Sequence, residues 1–302
     1  MAATSDPAQL KEEVRAFWNV KSCGTEIASA AKFSRQYFEE IETSRYFDQP
    51  FIHSFAQFSR YHGKRVLEVG FGAGTDFIQW LRCGAIASGI DLTPEALDNV
   101  RHRIEAYGLP APESVSIGDA ENLPFNANSF DLGYSFGVLH HSPKTERALE
   151  ELIRVVRPGG EIKVMLYNRH SIHCVNHWVK YALLRGKPWK SISWVLCNHM
   201  ESAGTKGYTR TELKRWLSML PLRSIHVHTE LTAGDLLSAS AFPPLNAVYR
   251  MFLRFGGLTY GWQPSDYVAR DTQRTAAPSP KPSPLMTGNR FGFYHCITAT
   301  KK

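Results

Sequence analysis

Residues 64–74, with the sequence KRVLEVGFGAG, constrain the fold of this chain more than any other stretch. The apolar run at its start contains two valines and suits a buried parallel strand. Three glycines follow at alternate positions: Gly70, Gly72 and Gly74. Thr75 and Asp76 then offer a polar cap for an apolar-periodic segment that is typical of a helix. A strand, a glycine turn and a helix in this order predict the start of a βαβ unit.

Strand-like and helix-like segments continue to alternate after this unit. They predict an α/β fold with a doubly wound, mostly parallel sheet. The predicted strands after the first cover residues 86–90, 114–118, 130–135 and 161–167, and residues 157–160 turn the chain into the last of these. Residues 223–229 and 292–300 predict two further strands, an antiparallel pair at the edge of the sheet. We assign no role to residues 230–290, which include a Pro/Ser-rich stretch at 276–284 that predicts a mobile loop.

Three parts of the chain differ in pattern. Residues 1–60 contain helical periods and many aromatic residues, and they predict an N-terminal helical lid over a ligand cleft. Residues 61–170 hold the regular alternation and form the predicted ligand-binding core. Residues 171–302 predict a helical insertion, with helices near 171–184, 191–200 and 209–220, followed by the last strands of the same sheet.

Composition excludes several classes of protein. No apolar run approaches the ~18 residues of a membrane span, and the N-terminus lacks the pattern of a secretory signal. The five cysteines are scattered without a C-x-x-C pair, which favours a reducing cytoplasm over a disulfide framework. The formal net charge is +7, but the basic residues are dispersed, so a solvated basic surface is the simplest interpretation.

The glycine turn does not match the commonest nucleotide fingerprints. A dinucleotide-binding site has the pattern G-x-G-x-x-G. The third glycine would fall at Thr75 if the pattern began at Gly70 and at Phe77 if it began at Gly72, so neither register fits. The lysine and serine that end a phosphate-binding P-loop are also absent. The missing motifs therefore argue against a turn that cradles phosphate groups.

The motif EVGFGAG instead resembles the first motif of class I S-adenosylmethionine-dependent methyltransferases. The resemblance continues through Asp91 at the end of the second strand, GDAENLPF from Gly118 to Phe125, and FDLGYS followed by VLHH. LIRVVRPGG, ending at Gly160, is similar to the branch that contains ubiquinone and menaquinone methyltransferases. Together these motifs cover about residues 64–167 and imply a Rossmann-like fold.

The resemblance implies S-adenosylmethionine as cofactor and assigns its contacts. Glu68 would orient the ammonium group beside the glycine turn, and Asp91 would bind the ribose hydroxyls, with Leu92 against the adenine. Asp119, with Ala120 beside it, would face the adenine amino group. The alternatives are structural, since Glu68 could merely order the turn and the two aspartates could be caps.

The catalytic candidates are His141, His140 and Tyr167, at the carboxyl ends of the fourth and fifth strands. Ligands of open α/β sheets bind at this edge, and a histidine there could accept a proton from the methyl acceptor. Both histidines could equally be packing residues. Tyr167 could line the acceptor pocket, as could Tyr37 and Tyr46 from the lid.

A second group of candidates lies just after the core. His170, His173, Cys174 and His177 would share one face of a helix and could bind a metal. No acidic residue nearby completes such a site, so polar packing is the preferred interpretation and we predict no metal.

The class of methyl acceptor can be narrowed only by the motifs that the sequence lacks. The chain has neither an N/D-P-P-Y motif after the fourth strand nor a Pro-Cys dipeptide, which disfavours modification of nucleic acid. We therefore expect a cytoplasmic methyltransferase for a small, partly apolar metabolite or natural product, modified on oxygen, nitrogen or carbon. The rivals are a lipid or quinone enzyme that contacts a membrane surface through residues 180–190, an RNA enzyme, and a non-catalytic cofactor-binding partner protein. The sequence does not determine the oligomeric state.

Overall fold

A computed structural model of the chain describes residues 6–20, 22–231 and 290–302. The strands in these ranges are β1 (Arg65–Val69), β2 (Ile86–Asp91), β3 (Ser114–Ile117), β4 (Phe130–Phe136), β5 (Val156–Tyr167), β6 (Leu222–Glu230) and β7 (Tyr294–Lys301). They form one sheet in the order β3-β2-β1-β4-β5-β7-β6. The first five strands are parallel, which confirms the predicted doubly wound α/β fold.

Helices cover the two faces and the carboxyl edge of this sheet. Those in the described residues are α1 (Pro7–Val20), α2 (Arg35–Asp48), α3 (Ile52–Ala56), α4 (Phe77–Arg82), α5 (Pro94–Tyr107), α6 (Thr145–Val155), α7 (Ile172–Tyr181), α8 (Ile192–His199) and α9 (Arg210–Ser218). Among them, α5 begins at the Thr93 cap and ends at Gly108, where φ is +61°, because a left-handed residue stops a helix without strain only when it is glycine. None of the helices in the described ranges is long and apolar enough to cross a membrane.

Two apolar cores lie on the two faces of the sheet. One is centred on Trp80 and Tyr134, both fully buried, and joins the N-terminal helices to α4 and α5. The other lies on the opposite face of the central strands and contains Leu152 from α6 and Leu213 from α9. Each core is built from the strand–helix alternation that the sequence shows, so burial of both faces holds the carboxyl ends of β1, β2 and β4 at one edge.

The end of the sheet differs in detail from the sequence pattern. The predicted antiparallel pair forms, but β7 lies inside, paired antiparallel with both β5 and β6, and β6 is the edge strand. Residues 157–160 lie within β5 and not in a turn before it. A register shift in β4 opposite Val156 accommodates them, and a Cβ on Gly160 would lie only 2.9 Å from the Asp131 carbonyl oxygen. The predicted loop at 276–284 lies outside the described residues.

Candidate functional site

A cavity of about 360 Å³ opens at the carboxyl ends of the parallel strands, beneath α1 and α2. Its floor includes residues that follow β1, β2, β3 and β4, and its far wall includes Tyr167 at the end of β5. From α1, Lys11, Val14 and Trp18 face it, at the i, i+3, i+7 spacing of one helix face. This edge is where open α/β sheets bind ligands, so the cavity is the candidate site.

The glycine turn shapes one end of the cavity. Gly70, Gly72 and Gly74 all have positive φ, but only Gly72 has open space where a Cβ would stand. A Cβ on Gly70 would lie 2.2 Å from a Val138 methyl carbon, and one on Gly74 would lie 2.8 Å from Val100 on α5. Gly70 and Gly72 line the cavity, whereas Gly74 lies behind it and permits close packing of α5.

Asp91 stands at the end of β2 and faces the cavity beside this turn. One carboxylate oxygen accepts bonds from the Thr93 amide and hydroxyl, at 3.0 and 2.9 Å, and the other accepts from the Gly72 amide at 3.0 Å. Burial raises the pKa of Asp91, although these bonds oppose the shift. The oxygen bound to Gly72 keeps lone-pair capacity for a ligand hydroxyl, because a carboxylate accepts about four hydrogen bonds.

The loop after β3 carries Asp119, which also lines the cavity. Lys11 of α1 donates to Asp119 at 2.7 Å and to Glu121 at 2.8 Å, so it joins the N-terminal helix to this loop. Ser142 and the Lys144 amide also donate to Glu121. Leu92 and Ala120 complete this part of the lining.

A buried charge network supports the turn from below. The Arg45 guanidinium of α2 binds both oxygens of Asp76, at 3.0 and 2.7 Å, and the hydroxyls of Tyr46 and Tyr134 donate to the same carboxylate. Burial alone would raise the pKa of Asp76, but Arg45 and the hydroxyls outweigh it and lower the pKa. The predicted cap is wrong for this residue, because the Asp76 side chain makes no capping bond to α4.

Glu68 lies next to this network, and its pKa is shifted in the opposite direction to that of Asp76. Its carboxyl group accepts a bond from the Trp80 indole N–H at 2.7 Å and reaches the cavity lining. Burial, reinforced by the negative charge of Asp76, raises the pKa of Glu68 well above its usual range. A carboxyl group that keeps its proton is a hydrogen-bond donor as well as an acceptor.

The opposite end of the cavity holds a cluster that joins His141, Tyr167 and Glu201. The Tyr167 hydroxyl donates to Glu201 Oε2 at 2.8 Å, and His141 Nε2 lies 3.3 Å from the same oxygen. Burial alone would raise the pKa of Glu201, but His141 and Tyr167 outweigh it and lower the pKa. Burial, followed by the charge of Glu201, raises the pKa of Tyr167 well above its usual range, so its phenol stays protonated.

Two hydroxyl groups lie against Nδ1 of His141. Thr205 Oγ1 donates its proton to the Ser202 carbonyl oxygen at 2.7 Å and lies 3.0 Å from Nδ1, so it can accept a bond when Nδ1 carries a proton. Ser202 Oγ lies 3.0 Å from the same nitrogen and can donate to it when Nδ1 carries the lone pair. Both tautomers of neutral His141 are therefore satisfied at Nδ1, and Nε2 is the nitrogen that faces Glu201.

Other candidates from the sequence lie outside the cavity lining. His140 is fully buried, neither of its ring nitrogens has a hydrogen-bond partner among the described residues, and burial lowers its pKa well below the usual range. Its ring packs 3.8 Å from that of Tyr167, centroid to centroid. Tyr37 packs behind the glycine turn in a separate small apolar cluster, and the Tyr46 hydroxyl that bonds to Asp76 also lies 3.2 Å from the carbonyl oxygen of Thr75.

The histidines of α7 make aromatic contacts. His173 and His177 lie 4.4 Å apart between ring centroids, and His173 also packs 4.5 Å from Phe293. Burial, then the charge of His177, lowers the pKa of His173 to about 4. No group of three or more His, Cys, Asp or Glu side chains in the described residues is arranged to hold a metal.

The polar groups that line the cavity fit a nucleoside that carries no phosphate. The lysine and arginine side chains in its described lining, Lys11 and Arg45, are both paired with carboxylates, so neither is free to bind a phosphate. Asp91 and Asp119 offer acceptors for a ribose diol and an exocyclic amine, and Gly72 leaves open space at the backbone. The residues present therefore fit S-adenosylmethionine, which has these groups and a cationic sulfonium but no phosphate.

The fold and the cavity together define a Rossmann-like, nucleoside-binding α/β protein. Residues 67–164 match the family model described as "Methyltransferase domain". This part of the chain is therefore similar to the methyltransferase domain of S-adenosylmethionine-dependent enzymes, and the match and the cavity lining together indicate S-adenosylmethionine as the cofactor.

Curated relatives share this segment. The phthiotriol/phenolphthiotriol dimycocerosates methyltransferase of Mycobacterium leprae is 40% identical over 102 residues, which are 33% of this chain and 36% of that enzyme. Norajmaline N-methyltransferase of Rauvolfia serpentina is 25% identical over 230 residues, covering 76% of this chain and 71% of that enzyme. Apart from the plant enzyme, the first relatives are matched over little more than a third of their own length.

A solved structure with a similar fold is phosphoethanolamine N-methyltransferase 2 of Haemonchus contortus, in complex with phosphomonomethylethanolamine and S-adenosylhomocysteine. It is 16% identical to this chain with a TM-score of 0.49, covering 82% of this chain and 52% of that one.

Sequence reasoning missed the side chains that reach the cavity from outside the core. Arg45 and Lys11 carry no motif, and they become visible only when α1 and α2 fold over the sheet. Glu201 follows α8 and has a φ of +50°, a left-handed conformation that is uncommon outside glycine. No periodicity or spacing in the sequence singles it out.

Proposed function

We propose that the chain is an S-adenosylmethionine-dependent methyltransferase that modifies a small, partly apolar acceptor on oxygen or nitrogen. The observation that carries the proposal is one cavity that joins the Asp91 end to the His141–Glu201 pair. A nucleoside-binding end and a proton-accepting end in the same enclosed space are what such a transfer needs. When bound, S-adenosylmethionine supplies an electrophilic methyl group on a sulfonium.

The protein's own part is to position the acceptor and to remove its proton. His141 Nε2 accepts the proton of an O–H or N–H as that atom becomes nucleophilic, and Nδ1 remains bonded to Thr205. Glu201, held as a carboxylate, stabilises the resulting imidazolium at 3.3 Å. His140, neutral and buried, and Tyr167 hold the ring from behind and do not exchange protons.

The acceptor end is aromatic and rich in hydrogen-bond acceptors. Phe136, Tyr294 and Tyr167 form a wall with centroid separations of 5.7 and 5.8 Å, and Trp18 packs edge-on at 5.3 Å from His141. These surfaces favour a flat or apolar body. Nearby, the Gln49 Oε1 atom has no partner among the described residues, so the acceptor would supply a donor group such as an amine or a hydroxyl.

The relatives support this class of acceptor without naming one. One is named as an N-methyltransferase for norajmaline and another as a methyltransferase for phthiotriol/phenolphthiotriol dimycocerosates. The ubiquinone and menaquinone branch remains our proposal from the RPGG segment alone. Neither a nucleic-acid partner nor a metal enters the proposal, and we propose a cytoplasmic location from the cysteine pattern.

The test is methyl acceptance from fractionated metabolite extracts. The purified full chain is incubated with S-adenosylmethionine, and products one methyl group heavier are sought by mass spectrometry together with S-adenosylhomocysteine. Asp91→Ala is the negative control, since its side chain forms the nucleoside end. Tight S-adenosylhomocysteine binding without any methylated product from any fraction would favour the non-catalytic cofactor-binding protein.

A second experiment tests the proton route once an acceptor is found. Glu201→Gln removes the charge beside Nε2 but preserves the Tyr167 bond, so kcat should fall about tenfold or more with little change in KM. Glu201→Asp should recover part of the loss. An unchanged kcat in Glu201→Gln would leave Glu201 as a structural acceptor for Tyr167 only.

A further inference from the structure

The segment between α7 and α8 exposes large apolar side chains. We call residues 183–190, LLRGKPWK, the tip. Trp189 is 74% exposed, Leu184 70% and Leu183 45%, whereas the large apolar side chains of the two cores are buried. Adjacent exposed apolar side chains on one protrusion are unusual for a soluble surface and mark an interaction site.

The charge around the tip has one sign. Residues 162–200 contain neither Asp nor Glu, although the whole chain has 28 acidic residues. Lys180, Arg185, Lys187 and Lys190 all lie in or directly before the tip. An apolar surface ringed by cations is complementary to a surface that is apolar below and anionic above.

The tip is held in a fixed shape by its own backbone. The Gly186 amide donates to the Leu183 carbonyl oxygen at 3.1 Å, and the Lys187 amide donates to that of Ala182 at 2.8 Å. At the other end, the Trp178 indole N–H donates to the Lys190 carbonyl oxygen at 2.6 Å. The exposed side chains therefore project from a formed turn, and little conformational entropy is lost when the tip binds.

The tip is connected to the acceptor end of the cavity by a single short helix. α8 begins after the Ser191 cap next to the tip and ends at His199, two residues before Glu201. A helix of 8 residues is about 12 Å long. Tyr181 of α7 and His199 of α8 stack with ring centroids 4.7 Å apart, which ties the two helices together.

We propose that the tip docks this chain on an anionic phospholipid membrane. Trp189, Leu184 and Leu183 enter the interface between head groups and acyl chains, while the surrounding lysines and Arg185 bind the phosphates. The docking does not depend on methyl transfer. If the proposed function also holds, docking places the acceptor end about one short helix from the bilayer, where an apolar acceptor dissolves.

Nucleic acid is the other anionic surface that the cations could meet. The two exposed leucines distinguish the two, because they have no partner on a phosphate backbone but gain free energy in a lipid interface. RNA binding is therefore an outcome of the test and not part of the proposal.

The test is co-sedimentation of the purified full chain with vesicles. We expect binding to phosphatidylglycerol mixed with phosphatidylcholine and at least tenfold weaker binding to phosphatidylcholine alone. Trp189→Ala should lower the partition coefficient about tenfold, since the interface loses most of the apolar area of an indole. The matched control is Phe47→Ala, which removes an aromatic side chain that is 65% exposed on α2, far along the chain from the tip.

A charge reversal tests the electrostatic part. Lys187→Glu should lower binding to anionic vesicles about tenfold or more, because each cation near such a surface contributes about 1 kcal/mol. Lys214→Glu, on the exposed face of α9, is the matched control and should leave binding unchanged. The proposal is overturned if neither tip variant weakens binding, if the wild-type chain does not distinguish the two vesicles, or if RNA displaces it from them at equal phosphate concentration.

Discussion

The two ends of the cavity are built in different ways. The donor end is the end that holds Asp91 and the glycine turn. Apart from Lys11, which reaches it from α1, it takes its residues from one part of the chain, from Glu68 to Ala120, and relies on backbone amides and strand-end carboxylates. The acceptor end draws on side chains as distant in sequence as Trp18, Glu201 and Tyr294. One end can be recognised from a motif, whereas the other exists only after the helices have packed.

The difference follows from what each end has to bind. A nucleoside that is always the same can be held by main-chain geometry and two acids, so its site survives changes in the surrounding side chains. An acceptor of particular shape needs side chains from surface segments placed over a rigid sheet, and such segments vary freely. The acceptor end also contains His141 and Glu201, so in the proposed function the same part of the fold would serve proton removal and acceptor choice.

The largest expected effect is a loss of turnover that leaves ligand binding at the donor end unchanged. His141→Ala removes the proton acceptor, so kcat should fall about 10² to 10⁴-fold while S-adenosylhomocysteine affinity, measured by calorimetry, stays the same. His226→Ala, an exposed histidine on β6, is the matched control. A near-normal kcat would make His141 a wall residue.

The second effect is the acid sensitivity that buried histidines give to the fold. Burial lowers the pKa of His295 on β7 to about 3, from an ordinary value of 6.5, and also lowers that of His140. The unfolded chain therefore takes up these protons at a higher pH than the folded chain does. Their contribution to the free energy of unfolding is therefore fully present above about pH 6.5. Below that pH, each of these histidines lowers the free energy of unfolding by about 1.4 kcal/mol per pH unit.

Denaturant titrations between about pH 7 and pH 5 measure this slope. His295→Gln should make the slope shallower, whatever it does to stability at pH 7. The matched control is His102→Gln, which replaces an exposed histidine on α5. An equal slope in the His295 variant and the wild type would contradict the assignment.

The third effect belongs to the donor end. Asp91→Ala should weaken S-adenosylhomocysteine binding by about 1–3 kcal/mol, the cost of leaving hydrogen-bond partners unpaired. Asp98→Ala, an exposed acid on α5, provides the control. If affinity does not change, Asp91 serves only to hold the Gly72 and Thr93 amides and the ribose assignment fails.

The smallest effect concerns the contact between α1 and the donor end. Lys11→Ala should weaken S-adenosylhomocysteine binding no more than about fivefold, because partly exposed ion pairs contribute about 0–1 kcal/mol. Added salt should shrink the difference. Lys32→Ala, whose Glu95 partner lies on α5, is the control. Tighter binding in Lys11→Ala would mean instead that Lys11 competes with the ligand for Asp119.

Most of the sheet could be predicted from the sequence because its strands and helices are local patterns. β2 and β4 begin at the predicted residues and end one residue beyond the predicted ends. Predictions were weaker where contacts between distant segments decide the structure. Residues 157–160 read as a turn but pair within β5, and Asp76 reads as a cap but binds Arg45 from α2.

By itself, the sequence determined the parallel α/β sheet and predicted the cofactor and the residues that we propose to bind it. Hydrophobic period, glycine spacing and the acids that end two strands act through the backbone nearby, so one stretch of chain is enough to specify them. Tertiary structure alone decided that Gly74 packs on α5, that His140 is buried while His141 faces the cavity, and that Glu201 lies beside it. These outcomes depend on which surfaces meet, and burial and charge pairing between distant residues have no signature in the order of the residues.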